Sequence, residues 1–90
     1  MNTTISVNGK NEDAICFFAN SRKGYGQWSI ECMTYCKGES KTFSIHSTDS
    51  RFIDNLSELE STQEKQQFYY DTFFRTFEEC IIEWAETIKN

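Results

Sequence analysis

Ninety residues, 38% hydrophobic and 26% charged with no proline, have the composition of one ordinary globular domain, not of a disordered chain. Residues 1–48 carry five basic and four acidic side chains, net +1, whereas residues 49–90 carry four basic and ten acidic, net −6, for a total of −5. A direct nucleic-acid binder needs a basic stripe, and this chain shows the reverse; nor does any stretch approach the roughly 20 apolar residues that span a bilayer.

In chain order, residues 3–7 alternate, with Ile5 and Val7 on one face of a short strand. Asn8-Gly9 is a strong turn dipeptide, because both residues tolerate positive φ. The polar run 10–13 reads as an extension of that loop. Residues 14–20 (AICFFAN) form a compact apolar strand, and 21–26 form a turn with two glycines. Residues 25–36 are the clearest strand: Trp28, Ile30 and Cys32 face one side, and Gln27, Ser29 and Glu31 the other. Its far end, Met33 and Tyr35, places apolar bulk on the polar face. After a tight connection at 37–40, residues 41–47 alternate again, with Phe43 and Ile45 inward and Thr42, Ser44 and His46 outward.

The period then changes. Phe52, Ile53, Leu56 and Leu59 recur at helical spacing, which predicts a short helix or helical turn within 50–59. Ser61 and Glu64 have capping-box spacing. Behind them Tyr70, Phe74, Phe77, Ile81, Trp84 and Ile88 recur at alternating intervals of four and three, and Phe73 and Cys80 widen the stripe. The predicted fold is α+β: one domain over 1–90, with an antiparallel β-meander of about four strands at 3–48 and a helical region at 50–89. Its main helix covers about 62–88. At 1.5 Å per residue that helix runs about 40 Å, so one end is expected to overhang the strands and to be free for association.

Little here points to chemistry. The possible soft ligands are Cys16, Cys32, Cys36, Cys80 and the lone histidine, His46. Cys32 and Cys36 have zinc-like spacing, but residues four apart on a strand lie about 13 Å from each other. All four cysteines therefore read as small buried hydrophobes, with Cys80 on the helix core stripe. The N-terminus has no basic segment followed by an apolar run, so a cytoplasmic protein with free thiols is expected. With one histidine on the outer sheet face, no phosphate loop and no nucleophile motif, no catalytic residue, metal or cofactor is assigned.

Two surfaces are candidates for binding. Opposite the helix core stripe lie Phe68, Asp71, Arg75, Glu79, Ile82 and Glu86, with Glu83 beside them: two apolar residues in an acidic strip suited to a basic partner. The second is the sheet face carrying Tyr25, Met33, Tyr35, His46 and one of Phe17 or Phe18, unless the segment 52–59 covers it. In size, charge and lack of catalytic motifs the chain resembles small acidic bacterial and phage inhibitors, such as toxin-immunity and anti-CRISPR proteins. That resemblance implies an inhibitor that occludes a basic nuclease or toxin domain, its helix strip the primary interface. The competing expectation is a homodimeric structural or adaptor module using the sheet face or the helix overhang.

Overall fold

Two tight turns set the register of the sheet. Asn8 and Gly9 take φ of 54° and 81°, and Lys37 and Gly38 take 55° and 80°. Paired positive φ values of this kind match the right-handed twist of the strands they join. In the computed structural model, which describes residues 1–24, 26–49 and 51–88, they join the first strand to the second and the third to the fourth. The strands are β1 (Asn2–Val7), β2 (Lys10–Lys23), β3 (Gln27–Cys36) and β4 (Glu39–Ser47), followed by helices α1 (Arg51–Ser57) and α2 (Thr62–Glu86). The sheet is an antiparallel meander in the order β1-β2-β3-β4.

Several boundaries differ from the sequence reading. Residues 10–13 are not loop. The two-residue turn pairs Val7 with Lys10, Ile5 with Glu12 and Thr4 with Asp13, so ladder hydrogen bonds hold this polar run in β2. At its other end β2 continues to Lys23, and β3 begins at Gln27. The strands are thus longer than expected. At about 3.3 Å per residue the 14-residue β2 outruns the 25-residue α2, at about 1.5 Å per residue. The length mismatch from which an overhang was expected therefore does not arise against β2.

Both helices lie on the same face of the sheet. Phe18 of β2 is at the centre, stacked on Tyr69 (5.9 Å between ring centroids) and close to Phe77 (6.3 Å) and the edge of Tyr70 (6.5 Å). Ile5, Val7, Cys16, Ile30, Cys32, Phe74, Ile81 and Ala85 complete the buried layer. Phe52 of α1 meets Trp28 of β3 at 6.3 Å and Phe73 of α2 at 5.4 Å. The segment 52–59 therefore closes the helix-bearing side and does not cover the sheet's second face.

Hydrogen bonds tie α2 to the strands at points where the ladder would stop. β1 ends opposite Ile15, and the backbone of Met1 adds one more pair of bonds to Cys16. One step further along β2, the Gln66 side chain replaces a strand. Its Oε1 accepts from the Phe18 N–H and its Nε2 donates to the Phe18 carbonyl, both at 2.9 Å. Thr3 and Tyr70 share a hydroxyl bond at 2.6 Å, and the Asn20 amide donates to the Tyr69 hydroxyl. The Ser61 hydroxyl accepts from the Glu64 N–H at 3.1 Å and caps α2. Ser61→Ala is expected to cost about 1 kcal/mol in urea unfolding.

The cysteines divide three to one. Cys16, Cys32 and Cys36 are buried; Cys80 is exposed, contrary to its expected place in the core. The reason is local. α1 covers the side of α2 that carries Tyr69 and Phe73, and Cys80 lies about two turns beyond, in a groove with Lys41, Phe43 and Trp84. The Cys16 and Cys32 sulfurs flank the Thr34 hydroxyl at 4.0 and 3.5 Å. The neighbouring Cys32 thiol holds Cys16 below the ordinary thiol range, and the same contact, with burial, pushes Cys32 up. Burial also raises Cys36. A disulfide reagent should titrate one thiol under native conditions, at Cys80, and all four after denaturation; rapid native labelling of three would refute this burial.

Candidate functional site

Successive residues of a strand point to opposite faces, so the helix-bearing side takes Cys16, Phe18, Ile30, Cys32 and Thr34. The other face takes Ile15 and Phe17 from β2, and Met33 and Tyr35 from β3. Ile15 is paired directly with Tyr35, and Phe17 with Met33, across the two central strands. The four make a two-by-two apolar square with fractional exposures of 42, 53, 41 and 43%. They are the exposed large hydrophobic residues among the described positions. The Tyr35 hydroxyl donates to the Met33 sulfur at 3.0 Å, which holds the β3 side of the square together.

The surroundings of the square are polar. On the edge strands this face carries Thr4 and Ser6 of β1, and Ser40, Thr42, Ser44 and His46 of β4. Along the central strands a carboxylate closes each end. Asp13 stands one same-face step before Ile15, and Glu31, paired with Ala19, one step beyond Met33. Among the described side chains this face holds no lysine or arginine.

The primary set of sequence candidates is placed elsewhere. Asp71, Arg75, Glu79, Glu83 and Glu86 are exposed on α2, in the layer behind the sheet. Phe68 and Ile82 are not free apolar anchors: both are partly buried and packed against the core. Long side chains on a helix lean back over the preceding turn, and a wheel projection takes no account of that cover. Of the second set, Met33, Tyr35 and His46 share the open face, and Tyr25 lies outside the described residues. The described members of the second set thus lie on the opposite side of the sheet from the helix strip, so one flat partner cannot touch both.

Sequence reasoning left Phe17 and Phe18 undecided and missed Ile15. The signal was the Asn8-Gly9 turn. A two-residue turn pairs Val7 with Lys10, and directly paired residues share a face. Every even position of β2 therefore follows Val7 inward and every odd one points out.

Among the described residues no three His, Cys, Asp or Glu side chains are placed to hold an ion. His46 pairs in the ladder with Ser29, itself beside Ser21, whose hydroxyl is buried without a hydrogen-bond partner. No hydrogen bond among the described side chains orients the imidazole toward either serine. Among the described residues no helix is long and apolar enough to cross a membrane. No family model, curated protein or solved structure matches this chain.

Proposed function

We propose that this chain is a non-catalytic, cytoplasmic binding protein of inhibitor type, which docks on a basic protein through the open face of its sheet. The apolar square of Ile15, Phe17, Met33 and Tyr35 carries this reading. A solvent-exposed group of two large aliphatic and two aromatic side chains, rimmed by hydroxyls, has the composition of an interface core. Charge selects the partner. Asp13 and Glu31 bracket the square, and the exposed carboxylates of α2 add to a net charge of −5. Such a field speeds encounter with a basic surface, while the buried apolar contact controls dissociation. Lysines and arginines that hold nucleic acid in a nuclease or toxin domain are groups of that kind, and covering them blocks the substrate. The unpaired cysteines support a reducing compartment.

A second copy is the competing occupant, and the same four residues would serve it. Charge disfavours it: a face-to-face dimer brings two copies of Asp13 and Glu31 together, and no cation is among the described side chains of this face.

The test compares three variants against a partner recovered by affinity from the native host and then purified. Phe17→Ser and Tyr35→Ala should each weaken binding by about 10- to 100-fold, chiefly through faster dissociation, and should relieve inhibition of any nuclease activity the partner has. Reversal of Glu79, Glu83 and Glu86 to lysine should slow association several-fold, as added salt does, and leave dissociation unchanged. If triple reversal abolishes binding while Phe17→Ser and Tyr35→Ala are silent, the interface is the helix strip and the proposal fails. A tight dimer that Tyr35→Ala dissociates, with no partner recovered, replaces the proposal with the adaptor reading.

A further inference from the structure

Resting on that reading, we infer that the element seated on the open face is an amphipathic basic α-helix of the partner, lying along β2 and β3.

The footprint selects a helix. The apolar residues occupy the two central strands only. Neighbouring strands are about 4.8 Å apart, so with its side chains the square is about 10 Å wide, close to the diameter of one helix. Along the strands its two rows are about 6.7 Å apart, so it contacts roughly two helical turns. A second sheet would extend over all four strands. It would also desolvate the hydroxyl rows of β1 and β4 (Thr4, Ser6, Ser40, Thr42, Ser44) without donors or acceptors to receive them. A helix leaves both rows in water. It would also repeat on this face what α2 does on the other, giving a helix-sheet-helix sandwich.

The carboxylates specify the pattern on the helix. Asp13 and the Ala19–Glu31 row are three same-face steps apart, about 20 Å along the strands. Lysine or arginine stems span several ångströms each, so cations on either side of a two-turn apolar stripe reach both carboxylates. The matching segment carries apolar residues at i, i+4 and i+7, with a basic residue about one turn before and one turn after.

The experiment is an amide chemical-shift titration of the full chain with three synthetic 18-residue peptides. The first has leucines at i, i+4 and i+7 bracketed by lysines. The second has the same composition rearranged to strict alternation. The third is the first with its lysines replaced by glutamate. Saturable shifts confined to Ile15, Phe17, Met33, Tyr35 and their neighbours are expected with the first peptide, at least tenfold tighter than with either control. Phe17→Ser should reduce that affinity at least tenfold without altering circular dichroism. Equal or tighter binding of the alternating peptide overturns the inference in favour of an extended occupant. Shifts confined to α2, or absence of saturable binding, also overturn it. These failures stay distinct from failure of the proposed function. If Phe17→Ser weakens the natural partner while the helical peptide does not bind, only the helix assignment is lost.

Discussion

Phe77→Ala is expected to lower the free energy of unfolding by about 3–5 kcal/mol. The ring is 2% exposed and approaches Phe18 at 6.3 Å, in the contact that holds α2 to the sheet. Removing it takes away the transfer energy of an aromatic side chain and leaves a void that neighbours on a ladder and a helix fill only in part. Small domains hold about 5–15 kcal/mol in total, so this one change removes a large share. Urea unfolding followed by far-ultraviolet circular dichroism reads the loss directly. A loss under about 1 kcal/mol would mean that α2 is not docked as described.

Gln66→Ala is expected to cost about 2–4 kcal/mol, more than the size of the side chain suggests. Its amide pairs both backbone groups of Phe18 at the point where β1 no longer reaches β2. Without it an N–H and a carbonyl lose their partners beside the core, and each unmade bond costs about 1–3 kcal/mol. Gln67→Ala is the control, because its bond to Asp71 lies in solvent; a change within about 0.5 kcal/mol is expected there. Gln66→Glu separates donor from acceptor. Its carboxylate can accept from Phe18 but cannot donate to the carbonyl, whereas the protonated acid can do both. The folded-state pKa of that glutamate is therefore raised, and the variant should regain stability as pH falls toward about 4. Equal stability of Gln66→Glu at neutral and acid pH would show that the donated bond is immaterial.

Much of the fold was legible because the repeating patterns are strong. Alternation in β3, the two Gly-containing turns and the four-three spacing of α2 each gave the right element in the right order. What misled was polarity without regard to pairing. Residues 10–13 are hydrophilic, yet Ile5 and Val7 lie directly across from Glu12 and Lys10 and hold them in the ladder. Treating them as loop hid the parity of β2, and so concealed that Ile15 and Phe17 face out. The helix strip was over-read for a related reason. A wheel knows angle but not cover, and the partial burial of Phe68 and Ile82 depends on tertiary packing. The same limit applies to Cys80, whose angle suits the core but whose position along α2 lies past the end of α1.

The meander also bears on the order in which the molecule assembles. Every strand pairs with its neighbour in sequence, so the sheet can form by successive short-loop closures. The ties to α2 are of another kind: Phe18 to Gln66 spans 48 residues and Thr3 to Tyr70 spans 67. Closing loops of that length before any packing rewards them is slow, which places helix docking after hairpin formation. Ile30→Val, in the central hairpin, should then slow folding, whereas Tyr70→Phe should mainly speed unfolding. In that order of assembly, Phe18 and Phe17 would be exposed together on opposite sides of one strand until the helix docks. Docking of α2 then covers the Phe18 side and leaves the Phe17 side open.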